Sequence, residues 1–200
     1  MKIGVFGGTF DPVHNGHLAI AEEVKTQLAV TEVWFVPAGQ PWLKTGRTIS
    51  TREQRVAMVE MAIAGKPYFK LSKLEVAKPG PSYTIDTIAE LKQQLKSAEL
   101  FFIMGWDSLN NLPLWKESSR LIKICRLVAI PRPGNPPPNL TVLEKALPGL
   151  SENVVMLDKP NLDISATAIR DRVTKGLPID GMVPEAVANY IRRNRLYIND

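Results

Sequence analysis

Cysteine and histidine are scarce in this 200-residue chain, which holds one cysteine, Cys125, and two histidines, His14 and His17. A single cysteine excludes an internal disulfide. In the apolar run Leu121-Ile122-Lys123-Ile124-Cys125-Arg126-Leu127-Val128 it reads as a small buried strand residue of a cytoplasmic protein. No apolar stretch approaches the length of a membrane span. Met1-Lys2-Ile3 runs directly into a core strand, so no leader peptide is expected. The net charge of +5 suits an anionic ligand without demonstrating one. Basic clusters occur only at Arg170-Asp171-Arg172 and Arg192-Arg193-Asn194-Arg195, and such clusters are usually solvated helix faces rather than nucleic-acid patches. Neither a GxGxxG spacing nor a Gly-Lys-Ser/Thr ending is present, which removes the dinucleotide fingerprint and the P-loop.

Both histidines fall within one stretch, Gly7-Gly8-Thr9-Phe10-Asp11-Pro12-Val13-His14-Asn15-Gly16-His17. It follows the apolar residues Ile3, Val5 and Phe6 of a strand and precedes a helix expected to start near Asn15. Glycines at 7 and 8 allow close backbone approach to a ligand. The helix directs its positive dipole end at the same spot, and two imidazoles can donate to phosphate oxygens. The turn therefore reads as a nucleotide site, a better account than a plain strand–helix connection. A zinc site finds no third Cys or His to complete it.

Elsewhere short apolar runs alternate with helical periodicity. Strands are expected at Lys2–Phe6, Glu32–Val36, Phe69–Leu71, Leu100–Met104, Ile124–Ile130 and Val154–Leu157. Leu18, Ala21, Val24 and Leu28 mark one amphipathic helix. Val56, Val59 and Ile63 mark a second; Ile85, Ile88, Leu91 and Leu95 mark a third. This alternation predicts a single α/β domain over residues 1–200, a Rossmann-like, doubly wound parallel sheet with helices on both faces. Its ligand crevice lies beyond the carboxyl ends of the strands, where Gly7–His17 would sit. A small helical part is expected over about 160–200. There Ser165 caps a helix holding Ile169 and Val173 with Gly176 past its end, and Pro184 opens another with Val187 and Ile191 on one face. Pro131–Gly149, with Pro136-Pro137-Pro138, reads as an exposed, semi-rigid loop.

On these residues the chain resembles the nucleotidylyltransferase superfamily, whose T/HxGH signature Gly7–His17 carries. The second signature of that superfamily is matched by Ile164-Ser165-Ala166-Thr167-Ala168-Ile169-Arg170, with Ala166 where a second serine is usual. The resemblance narrows to the bacterial nicotinate-nucleotide adenylyltransferases and runs nearly end to end. It takes in Pro37-Ala38-Gly39, Lys44, Arg55 with Met58, Pro81-Ser82-Tyr83-Thr84-Ile85-Asp86-Thr87 and Gly105-Trp106-Asp107. It continues through Leu112-Pro113-Leu114-Trp115, Pro131-Arg132-Pro133-Gly134 and Val183-Pro184-Glu185-Ala186-Val187. Where relatives often carry Pro-Pro-His-Lys, this chain has Pro41-Trp42-Leu43-Lys44, so a histidine contact is lost and the lysine kept.

The resemblance implies adenylyl transfer from ATP to nicotinate mononucleotide, giving deamido-NAD and pyrophosphate. The 5′-phosphate of the mononucleotide attacks the α-phosphorus directly. His14, His17, Lys44 and Arg170 are the implied catalytic residues. ATP is implied at Gly7, Gly8, Thr9, Phe10, Gly16, Gly105, Asp107, Ser165 and Thr167, with Mg²⁺ carried on its phosphates. The nicotinate nucleotide is implied at Tyr83, Thr84, Asp107, Trp115 and Arg132, Trp115 as a stacking platform for the pyridine ring and the helix start at Thr84 as receptor of its carboxylate. Small-molecule substrates rather than nucleic acid or membrane are the expected partners, and a homo-oligomer is compatible with the chain. The rivals are an adenylyltransferase acting on nicotinamide mononucleotide or phosphopantetheine and, more remotely, a non-enzymatic nucleic-acid-binding module using Arg192, Arg193 and Arg195, or an aminoacyl-tRNA synthetase fragment.

Overall fold

The apolar residues of the central strands alternate between two faces, and each face builds its own core. The computed structural model describes residues 1–40, 49–131, 134–160 and 162–198. Among them six parallel strands form one sheet: β1 (Lys2–Gly8), β2 (Glu32–Pro37), β3 (Phe69–Leu71), β4 (Glu99–Gly105), β5 (Arg126–Ile130) and β6 (Val154–Met156), in the order β3-β2-β1-β4-β5-β6. Phe6, Val33, Phe35, Phe101, Ile103, Val128 and Ile130 point to one face. Ile3, Val5, Val36, Leu100, Phe102, Met104, Leu127 and Ala129 point to the other. Burying both faces of a parallel sheet removes its apolar surface from water at roughly 25 cal/mol per Å².

The first face is covered by α1 (Asn15–Leu28), α2 (Arg52–Ile63), α8 (Ala166–Thr174) and α9 (Glu185–Arg193), through Ala21, Val24, Met58, Val59, Ile169, Val187 and Ile191. The second is covered by α3 (Thr84–Gln94), α5 (Ser118–Ile124), α6 (Leu140–Ala146) and α7 (Leu150–Asn153), through Ile85, Ile88, Leu91, Leu121, Leu143 and Leu150. A short α4 (Trp106–Asn110) and a 3₁₀ turn, Leu112–Leu114, follow β4. Strand order reverses between β1 and β4, so their carboxyl ends, Gly7-Gly8 and Met104-Gly105, flank the crevice where doubly wound folds bind ligands.

The strands, the three marked helices and the Ser165 cap lie where the periodicity places them. The Ser165 hydroxyl accepts from the Ala168 amide at 3.1 Å, and Gly176 follows in the left-handed region at φ 66°. Four readings differ. The strand expected over Ile124–Ile130 starts two residues later, and Cys125 is not a strand residue. Leu121, Ile122 and Ile124 end α5, Cys125 is its buried C-cap, and β5 begins at Arg126. The expected loop Pro131–Gly149 contains α6, capped by the Asn139 side chain accepting from the Val142 amide at 3.2 Å. Pro184 is the N-cap of α9 rather than its first helical residue. On α2 the buried stripe is Arg55, Met58, Val59, Ala62 and Ile63, with Val56 at its edge, because the helix turns an arginine inward.

Candidate functional site

His14 and His17 occupy fixed places at the start of α1. His14 is the N-cap, with φ −145° and ψ 169°, and His17 is the third helical residue. The His14 amide donates to His17 Nδ1 at 3.2 Å. An accepting Nδ1 carries no proton, so the neutral His17 ring holds its proton on Nε2 and offers an N–H donor there. The two imidazoles stack at 3.6 Å between centroids and 25° between planes. Edge contacts from Phe6 at 5.7 Å and Phe10 at 5.0 Å fix the His17 ring plane. Gly16 leaves room for this stack, since a Cβ there would stand 3.0 Å from His14 Nδ1 and press the ring by a few tenths of an ångström.

The turn between β1 and α1 is held from all sides. Phe10, buried, has φ 51°, a strained conformation for a bulky residue. Its ring lies where a Cβ on Gly8 would come within 3.0 Å. Asp11 is buried; its carbonyl accepts from Arg170 Nη1 at 2.7 Å, and its carboxylate accepts from the Tyr197 hydroxyl at 2.7 Å. Arg55, only 1% exposed, donates to the carbonyls of Thr9 (2.9 Å), Ser50 (3.1 Å) and Gly39 (3.2 Å). Burial draws its pKa down, against the opposing charge of Asp11. Asn15 ties the helix start to the 181–182 backbone through bonds of 2.8 Å to Gly181 and Met182.

A cavity of about 660 Å³ opens over this turn at the carboxyl ends of β1 and β4. Its wall includes Gly7, Gly8, Thr9, Phe10, His14, Gly16, His17, Gly105, Ser165, Thr167 and Arg170, together with Tyr83, Thr84 and Trp115. Asp107, in the first turn of α4, is not among the lining residues, although its neighbours Gly105 and Ser108 are. Lys44, Arg132, Trp42 and Leu43 lie outside the described residues.

Several expected residues have a double role. Ser165 lines the cavity while capping α8. Arg170 is no surface charge: it is 4% exposed, and besides Asp11 it donates to Thr167 Oγ1 at 3.0 Å. Thr84 opens α3 without capping it, since Tyr83 is the N-cap. The Thr84 and Ile85 amides are then first-turn donors with no acceptor within the helix. Asp86 instead pairs with Lys116 at 3.1 Å, and Lys116 Nζ stands 4.6 Å from the Tyr83 ring centroid. Trp115 is half-buried and packs edge-on to Phe102 at 6.2 Å.

Sequence reasoning missed Tyr197, Glu75 and Lys116 as parts of this region, and gave Asp11, Ser82 and Arg55 no role of their own. Glu75 lines the cavity and accepts from Thr87 Oγ1 at 2.7 Å, and burial raises its pKa. The Gly39 amide donates to Ser82 Oγ at 3.1 Å, fastening the end of β2 to the α3 start. One sign was readable for Arg55: it stands three and four residues before Met58 and Val59, on the apolar stripe of α2.

The site thus gathers backbone donors, two imidazoles and a buried guanidinium around one opening, an arrangement that binds phosphate anions. The cytidylyltransferase-like family model matches residues 5–172. A probable nicotinate-nucleotide adenylyltransferase of Dehalococcoides mccartyi is 47% identical over 198 residues, 98% of this chain and 97% of that protein. One from a Roseiflexus species is 43% identical over 195 residues, with the same coverage. Among solved structures, Plasmodium falciparum nicotinic acid mononucleotide adenylyltransferase complexed with NaAD superposes with a TM-score of 0.81 at 19% identity. That match covers 100% of this chain and 98% of the other, a likeness of fold. By these matches the chain belongs to the cytidylyltransferase-like family and, within it, to the nicotinate-nucleotide adenylyltransferases.

Proposed function

We propose that this enzyme transfers the adenylyl group of ATP to nicotinate mononucleotide, releasing pyrophosphate and forming deamido-NAD. The observation that carries the reading is the convergence of both histidines, the glycine turn and the α8 start on one cavity at the sheet's switch point. The attacking group is the 5′-phosphate of the acceptor, already a nucleophile, so no side chain has to form a covalent bond. Catalysis then rests on positioning and on charge stabilisation. His17 Nε2–H donates to the phosphate oxygens at the reacting phosphorus, and His14 contacts the adjoining phosphates. Gly8, Thr9 and Phe10 supply backbone amides. Arg170 and Lys44 offset the charge that grows on the departing pyrophosphate. Ser165 and Thr167 bind nucleotide phosphate at the α8 start.

Mg²⁺ fits this site as an ion carried on substrate phosphates. Among the described residues no three His, Cys, Asp or Glu converge on one point, and the Asp11 carboxylate is turned to Tyr197 and the Ser50 amide. Bound there, the ion would supply charge neutralisation to the substrate phosphates that carry it. The pyridine ring stacks on Trp115. Around Tyr83 and Thr84 the wall offers the first amides of α3 and the Lys116 ammonium, donors that suit a carboxylate. Glu75 is an acceptor on the same wall and favours a carboxamide. Among the described residues no helix is long and apolar enough to cross a membrane, and we place the activity in the cytoplasm.

The test is pyrophosphate release from ATP and Mg²⁺ with nicotinate mononucleotide, nicotinamide mononucleotide or phosphopantetheine as acceptor. Strong preference for the nicotinate compound is expected. Preference for the amide assigns the selecting role to Glu75 rather than to the donors of α3. Preference for phosphopantetheine overturns the ring site. Silence with all three overturns the enzyme reading.

A further inference from the structure

The last described residues of the chain reach back to the histidine turn. After α9 the segment Arg195–Tyr197 carries two left-handed residues, Arg195 at φ 51° and Tyr197 at φ 63°. A non-glycine residue holds that conformation only where its surroundings determine it. Around Tyr197 they do. Its ring is 7% exposed in the cluster that contains Phe10, Met58 and Ile169, and its hydroxyl lies 3.9 Å from Met58 Sδ. Its carbonyl accepts from Thr174 Oγ1 at 2.9 Å, and the single proton of that hydroxyl is shared with the Arg170 carbonyl at 3.1 Å.

These bonds close a ring. The Arg170 side chain holds the Asp11 carbonyl, the Asp11 carboxylate holds the Tyr197 hydroxyl, and Thr174 returns from the Tyr197 carbonyl to the Arg170 backbone. Asp11 sits between the strained Phe10 and the residues that lead to His14. The Asp11 carboxylate also accepts from the Ser50 amide, at a longer 3.4 Å. Loosening one member of the ring therefore shifts Asp11 and, with it, the turn on which both imidazoles are mounted, while Arg55 and Asn15 keep the turn in place overall.

We propose that Tyr197 is a positioning residue for adenylyl transfer, setting the place of His14 and His17 through its bond to the Asp11 carboxylate. This rests on the reading of the histidine turn as the phosphate site. A hydroxyl at the end of the chain, 186 residues from its partner, then governs the geometry of the reacting centre without touching substrate. Displacement of reacting groups by about 1 Å can cost roughly a hundredfold in rate.

The experiment compares the full-length protein with Tyr197→Phe, which keeps the ring and removes the hydroxyl. Two quantities are read: steady-state kinetics with ATP and nicotinate mononucleotide, and long-range ¹H–¹⁵N correlation of the imidazoles. The chain has only two histidines, both in the site, so every imidazole resonance reports on the turn. Cys125→Ala, a buried change in the opposite core, controls for lost stability and leaves kcat and both imidazole signals unchanged. In Tyr197→Phe the imidazole resonances shift and kcat falls about tenfold or more, while KM for the nicotinate nucleotide, whose ring site lies on α3 and Trp115, stays within twofold. Unchanged resonances, or kcat within twofold of the parent, overturns the proposal. Should Tyr197→Phe not fold, Thr174→Val, which removes the hydroxyl shared by the Tyr197 and Arg170 carbonyls, is read by the same two measurements with the same criteria. A parent protein silent with all acceptors overturns the functional reading. The imidazole shift still decides whether Tyr197 sets the turn.

Discussion

His17 is placed by three neighbours before any ligand arrives: the His14 amide fixes its tautomer, and Phe6 and Phe10 fix its plane. In the role proposed for it, replacing His17 with Ala removes one donor from the reacting phosphate. Turnover should fall by on the order of a hundredfold or more. The fold should survive, because the ring sits at a helix start where a lost local bond costs about 1 kcal/mol. Parallel kinetics and circular dichroism check both halves; near-normal turnover in a folded variant removes the role given to His17. Gly16→Ala tests the same geometry from the other side. Its new Cβ, 3.0 Å from His14 Nδ1, displaces the imidazole by a few tenths of an ångström, so kcat/KM for ATP should drop with little change in melting temperature. Cys125 behaves in the opposite way, as a residue with no chemistry. Burial pushes its thiol up to about 12 from 9.0, so it should resist a thiol reagent at pH 8 until the protein unfolds. The unfolded chain releases that proton first as pH rises, so this group's contribution to stability is complete below about 9 and declines between there and about 12.

Arg55 shows how an element can be bolted to the site by one side chain. From α2 it reaches the glycine turn at Thr9, the end of β2 at Gly39 and the α2 entry at Ser50. Arg55→Met fills much of the volume but removes a charged donor from each of three carbonyls. Each such bond contributes about 1.5–3 kcal/mol, so a loss of at least about 3 kcal/mol is expected in urea unfolding; a loss under about 1 kcal/mol would show that water replaces the guanidinium. The elements themselves differed in how far the sequence revealed them. Strands buried on both faces announce themselves as apolar runs, and α1, α2 and α3 as periodic stripes. The Leu121–Val128 run carries no such distinction, because a helix end and a strand start are both apolar there and no glycine or proline separates them. The prolines at 136–138 hid α6, which begins only at Leu140. At the site, residues within the Gly7–His17 motif were readable. Tyr197, Glu75 and Arg55 were not, because their roles come from contacts across 12 to 186 positions, which no local pattern encodes.

At the scale of the whole molecule, the question is whether the helical part beyond residue 160 is an appendage or a share of the core. Its side chains answer through their neighbours. Ile169, Ile179, Val183, Val187, Ile191, Leu196 and Tyr197 belong to the same buried cluster as Phe6, Val24, Phe35 and Met58, and α9 packs on α2. The polar bonds run the same way, from Arg170 and Tyr197 to Asp11, and from Asn15 to Gly181. A segment that supplies this much of one sheet face cannot leave without exposing that face, so residues 1–200 should unfold as one unit. In a Trp42→Phe background, which removes the one tryptophan outside the described residues, tryptophan fluorescence and the two imidazole signals watch different places: Trp34, Trp106 and Trp115 pack against the core of the second face, whereas the histidines sit against the first. Urea titrations followed by the two should coincide in midpoint and slope. An earlier loss of the imidazole signals, with tryptophan emission still native, would mean that the C-terminal helices detach by themselves and take the histidine turn with them. Saturating ATP sharpens the comparison, since a ligand bound only by the folded form at a hundred times its Kd adds about 2.7 kcal/mol. In a single cooperative unit that gain moves both probes together; in a divided one it moves the imidazole transition alone.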